Sequence, residues 1–423
     1  MSIVDTEPKT VDDIYGEMVT EYNQHKSRLK LIEMMTDWCK HKKITKDQVF
    51  LLKKRMETEF PKDVNCQYRF FGSTPNNYGC DLRELFFKRN GDIIDDDDDD
   101  DDATKKRTKL LALFHSKKHH NIRHIMTDID DTLFAHSAHG IAGEDKSWRQ
   151  KIPFPGIIKF YQLFYSKLDE NYKYSTVLSA TPGLMKMERL NDATIKSILG
   201  PQPHGFIQGE ESKISALELG VEIFARPSDA FNYTGSMKHR RCLEYSKIFP
   251  DYQLLFIGDN GQGDLIGGRK MLNDIPNCMV FIHEIVQKNG TLKQGLEPGE
   301  ENPYPNRLFF FKNYLELGNI FKRLDIFNEE DITQLKTEVL SNINEQIEDI
   351  CKDMPLSKCK QESVYKQMVE QYFSCGNDNC LNETGLKHFG GRRKRTKRCK
   401  YRKGKGKRRR TQKQYKMVVI NNL

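Results

Sequence analysis

His124-Ile125-Met126-Thr127-Asp128-Ile129-Asp130-Asp131-Thr132 runs from a short apolar stretch straight into a group of carboxylates. A short apolar run of this kind marks a strand buried on both faces, as in parallel sheets. In doubly wound sheets, ligands sit beyond the carboxyl ends of the strands. Asp128 and Asp130, two residues apart at such an end, can therefore converge on one site. One carboxylate can attack phosphorus and form an aspartyl-phosphate. The other can protonate the leaving oxygen and later activate water. Acidic turns also occur as plain solvated surface, so the motif acquires its meaning from the rest of the chain.

The same rhythm recurs downstream. Tyr174 to Leu178, Gln253 to Ile257 and Cys278 to Ile282 are further short apolar runs, with helical patterns between them. Pro155-Gly156 opens one such helix, in which Ile157, Phe160, Tyr161, Phe164 and Leu168 stripe a single face. This alternation predicts an α/β domain with a doubly wound parallel sheet over residues 122–300.

Three further pieces fall at the right places in that domain. Phe256-Ile257-Gly258-Asp259-Asn260-Gly261-Gln262-Gly263-Asp264 puts Asp259 and Asp264 just past an apolar strand. Magnesium takes hard oxygen ligands and few protein carboxylates. Asp128 and Asp259, with a main-chain carbonyl near Asp130, would make such a site. Carboxylates crowded beside an anionic phosphate also call for a cation. Ser179 follows the run Ser175 to Leu178, where a hydroxyl can donate to a phosphoryl oxygen. Lys238 precedes a helical pattern that leads to Phe249-Pro250, where an ammonium can neutralise charge on the transferring group. A serine after a strand and a surface lysine are each commonplace singly; in this order with the carboxylates they compose a phosphoryl-transfer set.

That order resembles the haloacid dehalogenase superfamily, and more closely the catalytic domain of the actin-patch phosphatidate phosphatase family. The resemblance rests on Thr127-Asp128-Ile129-Asp130-Asp131-Thr132, Pro155-Gly156, Leu178-Ser179-Ala180-Thr181-Pro182, Lys238 ahead of Phe249-Pro250, and Ile257 to Asp264. It covers about residues 122–285. It implies a haloacid dehalogenase-like sheet and a magnesium-dependent phosphomonoesterase, with phosphatidate as the substrate. By that resemblance Asp128 is the nucleophile and Asp130 the acid/base. Ser179 and Lys238 hold the phosphoryl group, and Asp128, Asp130, Asp259 and Asp264 form the metal site. His239 after Lys238, Thr181 and Asn260 depart from the family pattern and weaken transfer of the lipid substrate. Phosphatases for nucleic-acid ends or phosphoproteins, and an inactive phosphate-binding scaffold, are the rival readings.

The remainder of the 423 residues divides by composition. Residues 1–92 read as a mostly helical N-terminal region, through Ile14, Met18, Tyr22, Leu29, Leu31, Ile32 and Met35, then Val49, Phe50, Leu52 and Met56. Residues 93–121 form a linker, acidic in the run Asp95 to Asp102 and then basic, with mutual repulsion that opposes folding. Residues 301–386 read as a helical extension, helical from 307 onward. Residues 387–423 read as a basic, disordered tail. From Lys387 to Lys416 there are 17 Lys or Arg and no acid; taking these from the total of 68 leaves 51 bases against 60 acids. An acidic body thus carries a tail suited to nucleic acid or an anionic membrane. Cys351, Cys359, Cys375 and Cys380 lack paired zinc-ligand spacing, and plain thiols are the expectation. No apolar run is long enough to span a bilayer, and the start of the chain lacks a secretory pattern. The expected setting is the cytoplasm, with the nucleus or a membrane surface as alternatives.

Overall fold

A computed structural model describes residues 9–25, 28–40, 44–58, 122–135, 145, 147–148, 151–179, 193–201, 204–207, 227–287, 293–296 and 299–351. The aspartate run, the basic tail, and Cys359, Cys375 and Cys380 lie outside them, as do the expectations attached to those segments. A boundary at Thr384/Gly385 divides the chain in two, and every described residue belongs to the first part.

Six strands form one sheet: β1 (Ile122–Thr127), β2 (Thr176–Leu178), β3 (Gly205–Ile207), β4 (Tyr252–Asp259), β5 (Cys278–His283) and β6 (Leu308–Phe311). Their spatial order is β3-β2-β1-β4-β5-β6, and every neighbouring pair is parallel. The chain winds outward from β1 in one direction and from β4 in the other. This is a Rossmann-like doubly wound α/β fold, and the order reverses between β1 and β4. In folds of this kind ligands bind beyond the strand ends at that switch point.

The helices between strands are α4 (Ile157–Ser166), α5 (Ala193–Leu199), α6 (Pro227–Ile248) and α7 (Asp264–Asp274). α4 has no side-chain cap; instead its cap residue Gly156 takes φ +79°, and the Gly156 amide donates to Asn342 Oδ1 at 3.0 Å. After the sheet come α8 (Tyr314–Arg323) and α9 (Glu329–Cys351). The helical expectation from residue 307 fails over Leu308–Phe311, which joins the sheet as β6. Periodicity alone cannot separate a short apolar strand from a buried helical turn.

Ahead of the sheet lie α1 (Val11–His25), α2 (Arg28–Lys40) and α3 (Lys46–Thr58). Ile14, Met18, Tyr22, Leu31, Met35, Val49, Phe50, Leu52 and Met56 are buried, as the helical spacing requires. They share one apolar cluster with Met126, Leu254, Phe256 and Val280 of the sheet. Helices that could not stand alone in water thus gain their stability from a common core. Among the described residues, no helix is long and apolar enough to cross a membrane.

Candidate active site

Thr127 at the end of β1 pairs with Ile257 of β4, and the Asp128 amide donates to the Ile257 carbonyl at 2.9 Å. The ladder therefore carries Asp128 one residue past its strand, beside Gly258 and Asp259 at the end of β4. A few residues on, Asp264 opens α7 and folds back, so that its Oδ2 accepts the Asp259 amide at 3.4 Å. Gly258 permits that return, since a Cβ there would meet the Asp264 Cβ at 2.8 Å. One oxygen from each of Asp128, Asp259 and Asp264 lies within 4.8 Å of the others, and all three side chains are buried.

Lys238 enters from α6. Its Nζ lies 2.8 Å from Asp128 Oδ1 and also pairs with Asp264 Oδ1. The helix comes this close because Gly235, three residues earlier on the same face, is pressed against the α7 end of the loop. A Cβ on Gly235 would stand 2.5 Å from the Gly263 carbonyl oxygen and 3.0 Å from the Gly267 nitrogen. His239 faces elsewhere and pairs with Asp274 at 2.7 Å.

Ser179 is buried just past β2, the neighbour of β1, with its amide donating to the Ile207 carbonyl at 3.0 Å. Asp130 is buried in the turn after β1. Its carboxylate is not among the three that converge.

Three residues of the site received no role from the sequence. Asp131 is wholly buried at φ +56°, a left-handed conformation that Asp tolerates better than most side chains. His283 Nδ1, at the end of β5, donates to the Asp131 carbonyl at 2.8 Å. Asp131 Oδ2 accepts the Asp145 amide at 3.3 Å, and Asp145 Oδ1 in turn accepts the Val286 amide at 2.9 Å. These bonds tie the turn carrying Asp130 to the end of β5, across β4. Asp131 was visible inside its motif and His283 at the end of an expected strand; Asp145, in an irregular stretch, had no signal.

The electrostatics expose a shortage of positive charge. Burial pushes the Asp259 carboxyl well above its usual range, and Asp264, Asp131 and Asp128 push it further, against the pull of Lys238. Burial raises Asp264 too, again with Lys238 opposing. Burial alone would depress the Lys238 ammonium, yet the Asp128 and Asp264 carboxylates outweigh it and hold the charge in place. Asp259 Oδ1 accepts the Gly261 amide at 2.6 Å, whereas Asp259 Oδ2 is buried with no hydrogen-bond partner among the described residues. A buried carboxylate oxygen without a donor or cation is costly. Hard oxygen donors, excess negative charge and that orphaned oxygen together fit a divalent cation.

No family model, no curated protein and no solved structure matches the chain.

Proposed function

We propose that the sheet from β1 to β6, with its helices, forms a magnesium-dependent phosphomonoesterase of the haloacid dehalogenase type, in which Asp128 attacks phosphorus. The observation that carries this reading is the convergence of Asp128, Asp259 and Asp264 at the switch point of the sheet, with Lys238 bridging the first and last. A merely structural acidic turn has no need of a buried lysine and an orphaned carboxylate oxygen.

The steps balance as two displacements. An Asp128 carboxylate oxygen bonds to phosphorus while the ester P–O bond breaks, and Asp130 gives its proton to the departing alkoxide. Asp130, now ionised, takes a proton from water, whose oxygen bonds to phosphorus as the Asp128–phosphorus bond breaks. Inorganic phosphate leaves and both carboxyl groups return to their starting states. Lys238 and the Ser179 hydroxyl hold non-bridging phosphoryl oxygens and stabilise the charge that develops there. Asp128 and Asp259, with Asp264 behind them, would hold the divalent cation, which when bound offsets the repulsion between phosphate and carboxylates.

The test is phosphate release from a panel of esters (phosphatidate, a nucleotide, a phosphopeptide and p-nitrophenyl phosphate) with magnesium or with EDTA. Turnover of at least one ester should need magnesium and should vanish in Asp128→Asn, an amide of the same shape with little nucleophilicity. Equal rates in the wild type and Asp128→Asn would overturn the mechanism.

A further inference from the structure

A lysine that belongs to none of the motifs is built against the catalytic loop. Asn260, next to Asp259, is buried, and both ends of its amide are spent on one segment. Its Nδ2 donates to the Lys293 carbonyl at 2.5 Å, and its Oδ1 accepts the Ile285 amide at 3.1 Å. The Lys293 amide donates to the Ile285 carbonyl at 2.9 Å. The backbone of Lys293 is thus fixed from two sides, in a way that ordinary surface lysines are not. Its side chain, half-buried, turns back to the site: Lys293 Nζ donates to the Gly261 carbonyl at 3.3 Å. Gly261 is the residue whose amide binds Asp259.

Among the described residues no carboxylate pairs with Lys293. An ammonium has three donors and no acceptor. One is directed at the Gly261 carbonyl, and among the described residues the others meet no acceptor. The phosphoryl group itself is already served by Lys238, Ser179 and the cation site. An additional cation beside that site, without a carboxylate partner among the described residues, suits an additional anion on the substrate.

Resting on the phosphatase reading, we propose that Lys293 binds a second negative charge carried by the leaving group. The substrate class is a phosphomonoester with a phosphodiester adjoining it. A neutral leaving group, such as the diacylglycerol of phosphatidate, would leave this lysine unused.

The experiment compares 5′-phosphorylated dithymidine with thymidine 5′-monophosphate, which share a leaving oxygen; the dinucleotide adds one internucleotide phosphate and the thymidine beyond it. KM and kcat are measured for the wild type, Lys293→Ala and Lys293→Arg. Dissociation constants are measured on Asp128→Asn with and without Lys293→Ala, where no turnover intervenes. The wild type should favour the dinucleotide by about tenfold in kcat/KM, the low end for a charge-assisted hydrogen bond. The preference should lie in KM, persist in Lys293→Arg, and collapse towards unity in Lys293→Ala. The binding ratio in the Asp128→Asn background should change in parallel. A preference absent from the wild type, or one that survives Lys293→Ala, overturns the assignment while leaving the phosphatase intact. Turnover that survives Asp128→Asn, or no turnover of any phosphomonoester, instead overturns the phosphatase reading, and the assignment falls with it.

Discussion

Lys238 Nζ lies 2.8 Å from Asp128 Oδ1, so the carboxylate proposed to attack phosphorus, at the end of β1, rests against an ammonium delivered by α6. The same ammonium reaches Asp264, and all three groups are buried. Removing one partner of a buried charge pair costs more than the pair contributes, because the remaining charge has lost both water and its partner. Lys238→Met should therefore lower stability by about 3 kcal/mol in EDTA. Magnesium, as an alternative counter-charge, should recover part of the loss. The rate should fall by about a hundredfold or more even at saturating magnesium, since the group that stabilises phosphoryl charge is gone. Denaturant midpoints with and without magnesium, together with kcat, check both halves.

Gly235 offers a way to move Lys238 without touching a charge. A methyl group at Gly235 would meet the Gly263 carbonyl, which is backbone and cannot swing aside. Gly235→Ala should push α6 away from α7 and lower stability by about 1–3 kcal/mol, the usual range for an overpacked contact. Its kcat should drop while secondary structure persists, because the Lys238–Asp128 distance must grow. A variant with wild-type kcat would show that this helix contact does not set the position of the ammonium.

Asp259→Asn should have opposite effects in two conditions. Without a metal, the wild type holds Asp259 against the repulsion of Asp264, Asp131 and Asp128. The amide removes that repulsion and should stabilise the metal-free protein. With magnesium at a hundred times its dissociation constant, the wild type should gain about 2.7 kcal/mol by mass action, and the variant much less. The two proteins should therefore exchange rank between EDTA and magnesium. An equal magnesium shift in both would remove Asp259 from the metal site.

What could be read in the sequence follows from the physics of each element. β1, β4 and β5 were legible because a parallel strand buried on both faces needs a continuous apolar run. Gly205-Phe206-Ile207 is too short to carry that signal, and Leu308-Phe309-Phe310-Phe311 carries one that a helix shares. Asp128 and Asp259 were legible because they stand at strand ends, with Asp264 in the short turn after the second, and a doubly wound sheet brings such positions together. Gly235 was not, since a glycine inside a helix looks only like a weak point until its neighbour is known. Glu57 and Lys53 were not either: on a helix these residues read as solvent-facing, yet both are buried beneath the sheet.

Glu57 sits at the opposite end of the sheet from the candidate active site, where α3 meets the starts of β2, β3 and β4. Thr176 Oγ1 donates to its Oε1 at 2.7 Å, and the hydroxyls of Tyr174 and Tyr245 donate to its Oε2 at 3.2 Å each. Burial pushes the Glu57 carboxyl up to about 7, although the Thr176, Tyr245 and Tyr174 hydroxyls and nearby Lys54 pull it down. A carboxyl whose pKa is higher folded than unfolded binds more protons in the native state. Its contribution is complete below the unfolded value of 4.5 and is lost as pH rises through about 7. His124, stacked on Tyr252 in the same network, works the other way: burial, with His204 adding to it, pushes its pKa down to about 3, so its effect favours folding as pH rises towards 6.5. Raw stability curves mix the two. The difference between the wild type and Glu57→Gln separates them, because His124 is common to both. That difference should move against the wild type by about 2–3 kcal/mol between pH 4.5 and pH 7, the linkage value of the shift. It should then stay level up to pH 8, where Lys53, pushed down to about 8 by burial against the pull of Asp251, begins to titrate in both proteins. Urea midpoints in parallel across that range measure it. A wild-type advantage that is the same at pH 4.5 and pH 7 would mean that Glu57 titrates alike in the folded and unfolded chains, and that the network beneath the sheet does not hold its proton.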